Sequence, residues 1–281
     1  MSGIDNMRGF FSRAHADAPF QGVRKSIVRY QGHFAVAEDD YVVEEAHFKL
    51  SLDGRTVDEL ACSPWNLEEL AVGRLYSGGL ICGFDRVKSV EIDRERGLIG
   101  VETRAESLAL HGQVIPFTNV MALRDASAPS EEGMYSRVRS TLRLDPDDIS
   151  SRIALLERES DLFHLTGGVH SAALSCADGM VARFEDVGRH NALDKLVGWC
   201  VMCGVRTDDK VLLFSGRVPQ EIMLKVIRLG VPAVVSPGAP TGLSVDLAEE
   251  YGVTLVGFAK RGRFNVYSHP ERIAGASAVA L

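Results

Sequence analysis

The chain has 281 residues, of which 46% are apolar and 25% charged, with a formal net charge of -7. This length and composition predict a globular protein with one large domain or two smaller ones, and the acidic balance argues against a general nucleic-acid binder. No apolar run approaches the ~20 residues of a membrane-spanning helix. The first twenty residues lack the apolar segment of a secretory signal, and five cysteines without such a signal favour reduced thiols in the cytoplasm.

The N-terminal part is predicted to be rich in strands. Residues 46–52 alternate between apolar and polar side chains, as in a half-buried strand, and Asp53-Gly54 follows as a turn signal. A helix is expected from Asn66, with Glu69 as a capping-box partner, and Gly78-Gly79 as its end. A second hairpin should then place residues 90–92 opposite residues 99–101.

Between residues 104 and 143 the periodicity fades, which indicates a linker or a functional loop. A helix is expected from Pro146, with Asp145 as its N-cap and an apolar side formed by Ile149, Ile153 and Leu156. We therefore predict four segments: a flexible tail over 1–22, a small strand-rich α+β domain over 23–125, a linker over 126–144 and an α/β domain over 145–281.

The C-terminal part alternates strands and helices, the pattern of a layered α/β domain with a largely parallel or mixed sheet. The predicted strands end near Leu165, Glu185, Phe214, Ser236 and Phe258, and the predicted helices begin near Asn191, Pro219 and Gly242.

Glycine-containing and basic clusters follow the predicted strand ends, where open α/β sheets bind ligands. Glycine lets backbone N–H groups approach a ligand, helix starts favour anions, and the arginine fork fits phosphate. Together they predict a pocket for a phosphate-bearing ligand such as a nucleotide, although neither the Rossmann fingerprint nor the P-loop is present. The clusters are TGGVH at 166–170, FEDVGRHN at 184–191, FSGR at 214–217, SPGAPTG at 236–242 and GFAKRGR at 257–263. Their cations are Arg189, Arg217, Lys260, Arg261 and Arg263.

Three polar residues near these clusters have more than one interpretation. His190, at a predicted helix start, is a general acid or base, a hydrogen-bonding partner of a ligand, or a structural histidine. Glu221 and Lys225 lie four residues apart on a helix and either orient the pocket or form a surface ion pair.

These motifs resemble the FdhD family, the formate dehydrogenase accessory sulfurtransferases. The likeness runs from about Val23 to Ile273. It rests on FEDVGRHNALDK, FSGRVPQEIMLK, SPGAPTGLSVDLAE, GVTLVGFAKRGRFNVYSHPERI, TGGVHSAAL and, in the N-terminal part, SPWNLEELAVGRL.

The resemblance implies a small N-terminal domain on a larger domain of the cytidine deaminase fold, as a homodimer. It also implies binding of a molybdenum-bis(guanine dinucleotide) cofactor. A cysteine desulfurase would supply sulfur for that cofactor before its insertion into formate dehydrogenase or a related molybdoenzyme, without nucleic acid or membrane partners. In the family, the segment matching Phe258, Ala259, Lys260, Arg261, Gly262 and Arg263 is associated with cofactor binding. Arg189, His190, Arg217, Thr166, Gly167 and His170 are the further candidate contacts.

The chain departs from the family pattern in its cysteines. Typical members have a C-x-x-C loop between the N-terminal hairpins and the TGG-x-H segment, whereas the interval from Val101 to Thr166 has no cysteine. Because sulfur relay needs a nucleophilic thiolate, two alternatives to a sulfurtransferase stay open. One is a non-catalytic cofactor carrier or adaptor, and the other is a deaminase-like enzyme on the same fold.

None of the remaining cysteines lies at the position of the family's C-x-x-C loop. Cys200 and Cys203 form a C-x-x-C at the end of a predicted helix, where Cys200 faces the core and the helix dipole opposes a thiolate. Cys62 and Cys82 are expected to be partly exposed and could each carry a persulfide alone, whereas Cys176 is expected to be packed. Zinc is not expected, since the H-x-E and P-C-x-x-C signatures of zinc deaminases are absent.

Overall fold

The structure is a computed structural model that describes residues 22–104, 135–260 and 262–275. In these ranges the chain forms a two-stranded ribbon, a four-stranded sheet and a six-stranded sheet. The strands are β1 Gly22–Gln31, β2 Phe34–Val43, β3 Ala46–Leu52, β4 Arg55–Cys62, β5 Val87–Asp93, β6 Leu98–Thr103, β7 His170–Cys176, β8 Gly179–Asp186, β9 Val211–Phe214, β10 Ala233–Val235, β11 Thr254–Lys260 and β12 Arg263–Ser268. The helices are α1 Leu67–Ser77, α2 Pro146–Arg158, α3 Asp161–Thr166, α4 Arg189–Cys203, α5 Gln220–Leu229 and α6 Gly242–Tyr251. No helix among these has the length and apolar character needed to cross a membrane.

The ribbon consists of β1 and β2, which pair antiparallel over their whole length. Tyr30 and Phe34, next to its turn, are 70% and 80% exposed. Residues 1–21, which include nearly all of the predicted tail, lie outside the described residues.

The four-stranded sheet has the order β4-β3-β6-β5 and one buried face. The alternation predicted for residues 46–52 is confirmed, because Phe48, Leu50 and Leu52 are buried in a core with Leu67 and Leu70 of α1. The hairpin between β5 and β6 is also confirmed, with its residues 90 and 92 opposite residues 101 and 99.

The turn after β3 lies at the predicted position, but the start of α1 is capped differently from the prediction. Asp53 and Gly54 both adopt positive φ angles, 49° and 77°, as a two-residue type I′ hairpin turn requires. Asn66 also has a positive φ angle, 52°, and its side chain makes no capping hydrogen bond. The predicted capping box with Glu69 is therefore wrong, although the helix begins at the next residue.

The six-stranded sheet has the order β12-β11-β10-β9-β7-β8. Its three central strands, β9, β10 and β11, are parallel, and β12, β7 and β8 extend it with antiparallel pairs. The predicted α/β class is confirmed. The predicted helix starts are also confirmed, since α4, α5 and α6 begin at residues 189, 220 and 242.

Helices cover both faces of this sheet. Leu212 and Phe214 of β9 pack in a core with α4, α5 and α6, whereas Val211 and Leu213 pack in a second core with α2. Burial on both faces explains why β9 is a continuous apolar run. The predicted start of α2 is confirmed, because the Asp145 side chain accepts a hydrogen bond from the Asp147 backbone N.

A close crossing of α1 and α4 joins the two larger sheets. A Cβ atom on Gly73 would lie 1.8 Å from the carbonyl oxygen of Asp194, and one on Gly198 would lie 1.9 Å from that of Glu69. Only glycine leaves room for the two backbones here, so the pair fixes the helices in one position.

The sequence predictions for residues 104–166 are partly untested and partly wrong. Most of the loop over 104–143, and the part of the linker over 126–134, lie outside the described residues. The predicted strand ending near Leu165 is wrong, because residues 161–166 form α3. Ser160 caps its start by accepting a hydrogen bond from Phe163 N, and Gly167 ends it with a φ angle of 64°.

Candidate functional site

The ends of five strands meet at one edge of the six-stranded sheet. β9, β10 and β11 are parallel, so their C-terminal ends lie on the same edge. β7 runs antiparallel to β9, and β8 antiparallel to β7, so β7 begins and β8 ends there as well. This topology brings together the four predicted clusters that do follow strands. TGGVH instead follows α3 and reaches the edge through His170, the first residue of β7.

Side-chain hydroxyls tie these loops to one another. Ser215 Oγ accepts a hydrogen bond from Ser171 N at 2.9 Å and lies 3.3 Å from His170 Nδ1. Ser236 Oγ donates to the Gly216 carbonyl at 2.6 Å and accepts from Gly238 N at 2.9 Å. The loops after β9 and β10 are therefore held as one unit with the start of β7.

Gly238 allows the loops after β9 and β10 to pack backbone against backbone. A Cβ atom on Gly238 would lie 2.8 Å from Arg217 N and from the Gly216 carbonyl oxygen. The Phe258 backbone N donates to the Gly238 carbonyl at 3.2 Å, which adds the end of β11 to the same unit. We call the set formed by His170, Arg189, 215–217, 236–238 and 258–260 the basic edge.

Arg189 is the first residue of α4, and part of its guanidinium is left without a protein partner. A Cβ atom on Gly216 would lie 3.4 Å from Arg189 Cβ, so the arginine borders the loop after β9. Its Nε atom is buried and has no hydrogen-bond partner, and Gly188 gives the helix no side-chain cap. Since buried N–H groups are nearly always paired, and free N–H groups at helix starts favour anions, this position is suited to a ligand acceptor.

His170 of the basic edge and His190, the second residue of α4, are neutral at pH 7. Burial, together with the charge of Lys225, lowers the pKa of His190 to about 4. Burial, followed by the charge of Arg189, also lowers the pKa of His170. Neither ring therefore adds positive charge near the start of α4.

A cavity of about 350 Å³ opens at the end of the sheet, next to the basic edge. Lys260 and Arg263 face each other across the turn between β11 and β12. Phe258 is 48% exposed and adopts a positive φ angle of 52°. The cavity thus combines two cations with two aromatic rings, and its lining residues are Pro237, Phe258, Lys260, Arg263, Phe264 and Asn265.

The other predicted contacts differ in what they offer a ligand. Arg217 and Gly262 are exposed, whereas Arg261 lies outside the described residues. The Ala259 side chain is buried in the core against α2. Thr166 Oγ1 donates to the Leu162 carbonyl at 2.8 Å and accepts from Gly168 N at 3.1 Å, so this hydroxyl is used in ending α3.

Comparison with known proteins identifies the family. A family model described as the FdhD/NarQ family matches residues 43–274. The chain belongs to the FdhD/NarQ family. The matched residues begin at the last residue of β2, so most of the ribbon precedes them.

Individual members show the same relationship. The chain is 37% identical over 254 residues to a sulfur carrier protein FdhD of Staphylococcus aureus strain MRSA252, with 88% of this chain and 94% of the relative covered. It is 35% identical over 256 residues to the Staphylococcus haemolyticus strain JCSC1435 protein of the same name, with 89% and 96% covered. A crystal structure of a candidate formate dehydrogenase accessory protein from Desulfotalea psychrophila superposes with a TM-score of 0.74 at 25% identity, covering 90% of this chain and all of that one (100%).

All five cysteines of this FdhD/NarQ member lie in described residues. Cys62 is buried, so the prediction of partial exposure is wrong for it, whereas Cys82 is exposed. Cys200 is buried in the core at the end of α4, as predicted, and burial raises its pKa to about 12. Cys203 is exposed in the last turn, and Gly204 ends the helix with a φ angle of 60°. Cys176 is only partly buried, at the end of β7.

Two buried ion pairs under the basic edge were not predicted. Lys195 Nζ lies 2.7 Å from Asp186 Oδ2, with both side chains fully buried. Asp186 also accepts hydrogen bonds from Ser63 N and Gly188 N, so it fixes the start of α4 against the N-terminal part. The available signal was the presence of charged residues at positions 194 and 195, between buried leucines.

The second pair corrects the interpretation of Lys225. Lys225 Nζ lies 2.6 Å from Asp194 Oδ2, and both side chains are buried. Of the two interpretations given for Lys225 and Glu221, the surface ion pair is therefore wrong. Burial lowers the pKa of Lys225 to about 8, against the effect of Asp194.

Proposed function

We propose that the chain is an accessory sulfur carrier for formate dehydrogenase or a related molybdoenzyme. In this role it binds a molybdenum-bis(guanine dinucleotide) cofactor and supports its sulfuration and delivery. The names of its relatives support the accessory and sulfur-carrier role. The observation that carries the cofactor proposal is the basic edge. Its Arg189 Nε is buried without a partner, and its residues Pro237, Phe258 and Lys260 line a cavity that holds two cations and two aromatic rings.

The chemistry of a guanine dinucleotide matches the basic edge. Its diphosphate is an anion that arginine binds with its planar fork and that free N–H groups at a helix start favour. Its purine ring can stack on an aromatic side chain, and Asn265 offers an amide to the edge of the base. In this arrangement Arg189 and Arg217 hold phosphate, while Phe258 and Phe264 border the base.

The neutral histidines limit the charge of this pocket. His170 and His190 can each donate or accept a hydrogen bond to a phosphate oxygen or a sugar hydroxyl. Their low pKa values keep them uncharged above about pH 6.5. The arginines and Lys260 therefore supply the charge that matches the diphosphate.

GDP, a fragment of the cofactor, tests the proposal in a calorimetric titration. We expect the wild-type protein to bind GDP and the Lys260→Ala plus Arg263→Ala double variant to bind about 100-fold more weakly. Each charge-assisted hydrogen bond contributes about 1.5 kcal/mol, close to tenfold in affinity. Lys88→Ala plus Arg96→Ala removes the same charge from the four-stranded sheet and should leave binding unchanged. Absence of GDP binding, or equal weakening in both double variants, would rule out the basic edge as the cofactor site.

The proposed role brings further partners with it. A cysteine desulfurase would donate the sulfur, and a formate dehydrogenase or related molybdoenzyme would receive the cofactor, in the cytoplasm. We also propose a homodimer, which light scattering on the purified protein would test against a monomer mass.

A non-catalytic cofactor carrier is the alternative function. The interval from Val101 to Thr166 contains no cysteine, which favours a protein that binds the cofactor without relaying sulfur. The two functions predict the same GDP binding. They differ in whether a cysteine of the chain takes up sulfur from a persulfide.

A further inference from the structure

A second cavity lies at the opposite end of α4 from the basic edge. Its volume is about 640 Å³, and its lining includes Cys82, Cys200 and Cys203. α4 has 15 residues, so about 20 Å separates its two ends. Three of the five cysteines therefore gather around one opening that the cofactor proposal does not use.

Cys82 is exposed in the segment that follows α1. The preceding residue, Ile81, is buried, and its carbonyl oxygen accepts a hydrogen bond from Arg228 Nη2 at 3.2 Å. The guanidinium of Arg228 also lies over the Tyr76 ring, with 4.7 Å between its Cζ atom and the ring centroid. These two contacts hold a cation next to the Cys82 backbone.

Arg228, next to the Cys82 backbone, has hydrogen-bonding capacity left. Its Nε atom is buried without a hydrogen-bond partner. Burial lowers the pKa of Arg228, and the charges of Tyr76, Tyr135 and Cys82 act in the opposite direction. The Nη2 contact with the Ile81 carbonyl keeps this cation next to Cys82, and cations next to a cysteine favour anionic sulfur.

Three of the other four cysteines have raised thiol pKa values, and the fourth lies away from this cavity. Burial raises the pKa of both Cys62 and Cys200 to about 12. Cys203 is exposed, but burial and the charge of Glu69 raise its pKa, and it lies at the C-terminal end of α4. Cys176 lies at the end of β7 and is not among the residues that line this cavity.

We propose that Cys82 is the sulfur-accepting residue of this chain and that the cavity around it is the loading site for a persulfide donor. The proposal rests on the proposed sulfur-carrier function and adds the residue that carries the sulfur. It separates loading, at the C-terminal end of α4, from cofactor binding at the basic edge.

The loading step is a thiol–persulfide exchange without net oxidation. The Cys82 thiolate attacks the outer sulfur of the donor's persulfide, and a new S–S bond forms on Cys82. The S–S bond within the donor breaks, and the donor's cysteine leaves as a thiolate. The anionic persulfide formed on Cys82 lies next to the Arg228 guanidinium, which stabilises its charge.

Mass spectrometry of the full-length protein tests this step. The protein is incubated in one arm with a cysteine desulfurase and L-cysteine, and in the other with inorganic polysulfide. We expect the mass of one added sulfur atom, mapped to Cys82. In Cys82→Ser the amount of labelled protein should fall at least about tenfold, whereas Cys203→Ser and Cys176→Ser should be labelled like the wild type. Arg228→Gln should slow labelling about tenfold, and Arg228→Lys, which keeps the charge, should slow it less.

The outcomes separate this proposal from the cofactor proposal. Label on Cys203 or Cys176, or undiminished label in Cys82→Ser, would overturn the assignment of Cys82 while leaving a sulfur carrier. No label on any cysteine in either arm would overturn it too, in favour of the non-catalytic carrier. Lys88→Ala plus Arg96→Ala, on the four-stranded sheet, should label like the wild type. The labelling needs no GDP, so a failure of GDP binding does not affect this test.

Discussion

The two ends of α4 differ in the charged groups and thiols that surround them. At its N-terminal end, buried ion pairs and two neutral histidines lie beside a basic edge suited to an anion, where Arg189 Nε is buried without a partner. At its C-terminal end, three thiols line the cavity, and the cation Arg228 lies next to the backbone of the exposed Cys82. One helix can therefore support two sites of different chemistry, because its middle packs closely against α1 while its two ends contact different residues.

The largest effect should come from breaking the ion pair beneath the N-terminal end. Lys195→Met leaves Asp186 charged and fully buried, so the free energy of unfolding should fall by about 4 kcal/mol in urea denaturation. Lys88→Met removes an exposed pair with Glu102 and should cost less than about 1 kcal/mol. Equal losses in the two variants would show that the buried charges do not hold this end.

The next effect concerns the middle of α4, on which both ends depend. Gly198→Ala would place a Cβ atom 1.9 Å from the Glu69 carbonyl oxygen, so unfolding should become easier by about 3 kcal/mol. Gly242→Ala, where nothing lies within 4 Å, is the matched control and should be nearly neutral. If Gly198→Ala were as stable as the control, α1 and α4 would not be in backbone contact.

A third effect should appear as a pH dependence of the N-terminal end. The pKa of His190 is lowered from 6.5 to about 4, so the unfolded chain takes up a proton first as the pH falls. Its contribution to stability is full above pH 6.5 and is lost between about pH 6.5 and pH 4. We expect a loss of about 2 kcal/mol over that window, allowing for partial exposure. His190→Gln should flatten this part of the stability curve, and an unchanged curve would contradict a buried neutral ring.

The smallest effect should come from Phe258 of the basic edge, where GDP affinity should change and stability should not. Phe258 has a positive φ angle of 52°, so Phe258→Gly relieves backbone strain while removing an aromatic ring. We expect stability to change by less than about 1 kcal/mol and GDP affinity to fall about tenfold through lost stacking. Phe84→Gly removes a ring from the cysteine-lined cavity and should leave GDP binding unchanged. Equal affinities for Phe258→Gly and the wild type would remove this ring from the cofactor site.

Sequence patterns predicted the parts of the fold that depend on local order. The alternation in residues 46–52, the Asp53-Gly54 turn and the apolar side of α2 all appear as expected, because each is encoded within a few neighbouring residues. The strand predicted near Leu165 failed because a short apolar run fits a strand or a helix equally well. The capping serine and the closing glycine of α3 were the better signal there.

The basic edge was predictable in outline but not in its contacts. Glycines and cations after strand ends pointed to it, since parallel strands end on the same side of a sheet. Periodicity cannot tell that Lys195 and Lys225 are buried, because their partners, Asp186 and Asp194, are set by tertiary packing. The same limit applies to the unpartnered Nε of Arg189, which depends on the loop after β9.

The glycine contact between α1 and α4 also has a kinetic consequence. Because the two backbones touch at Gly73 and Gly198, α4 is held in place at its middle, and its 15 residues set a fixed distance between its two ends. If sulfur is loaded at Cys82 and the cofactor binds at the basic edge, as we propose, the sulfur must cross that distance within one protein molecule or with the help of a second molecule. The two routes differ in reaction order: the first has a rate constant independent of protein concentration, whereas the second becomes faster as the concentration rises.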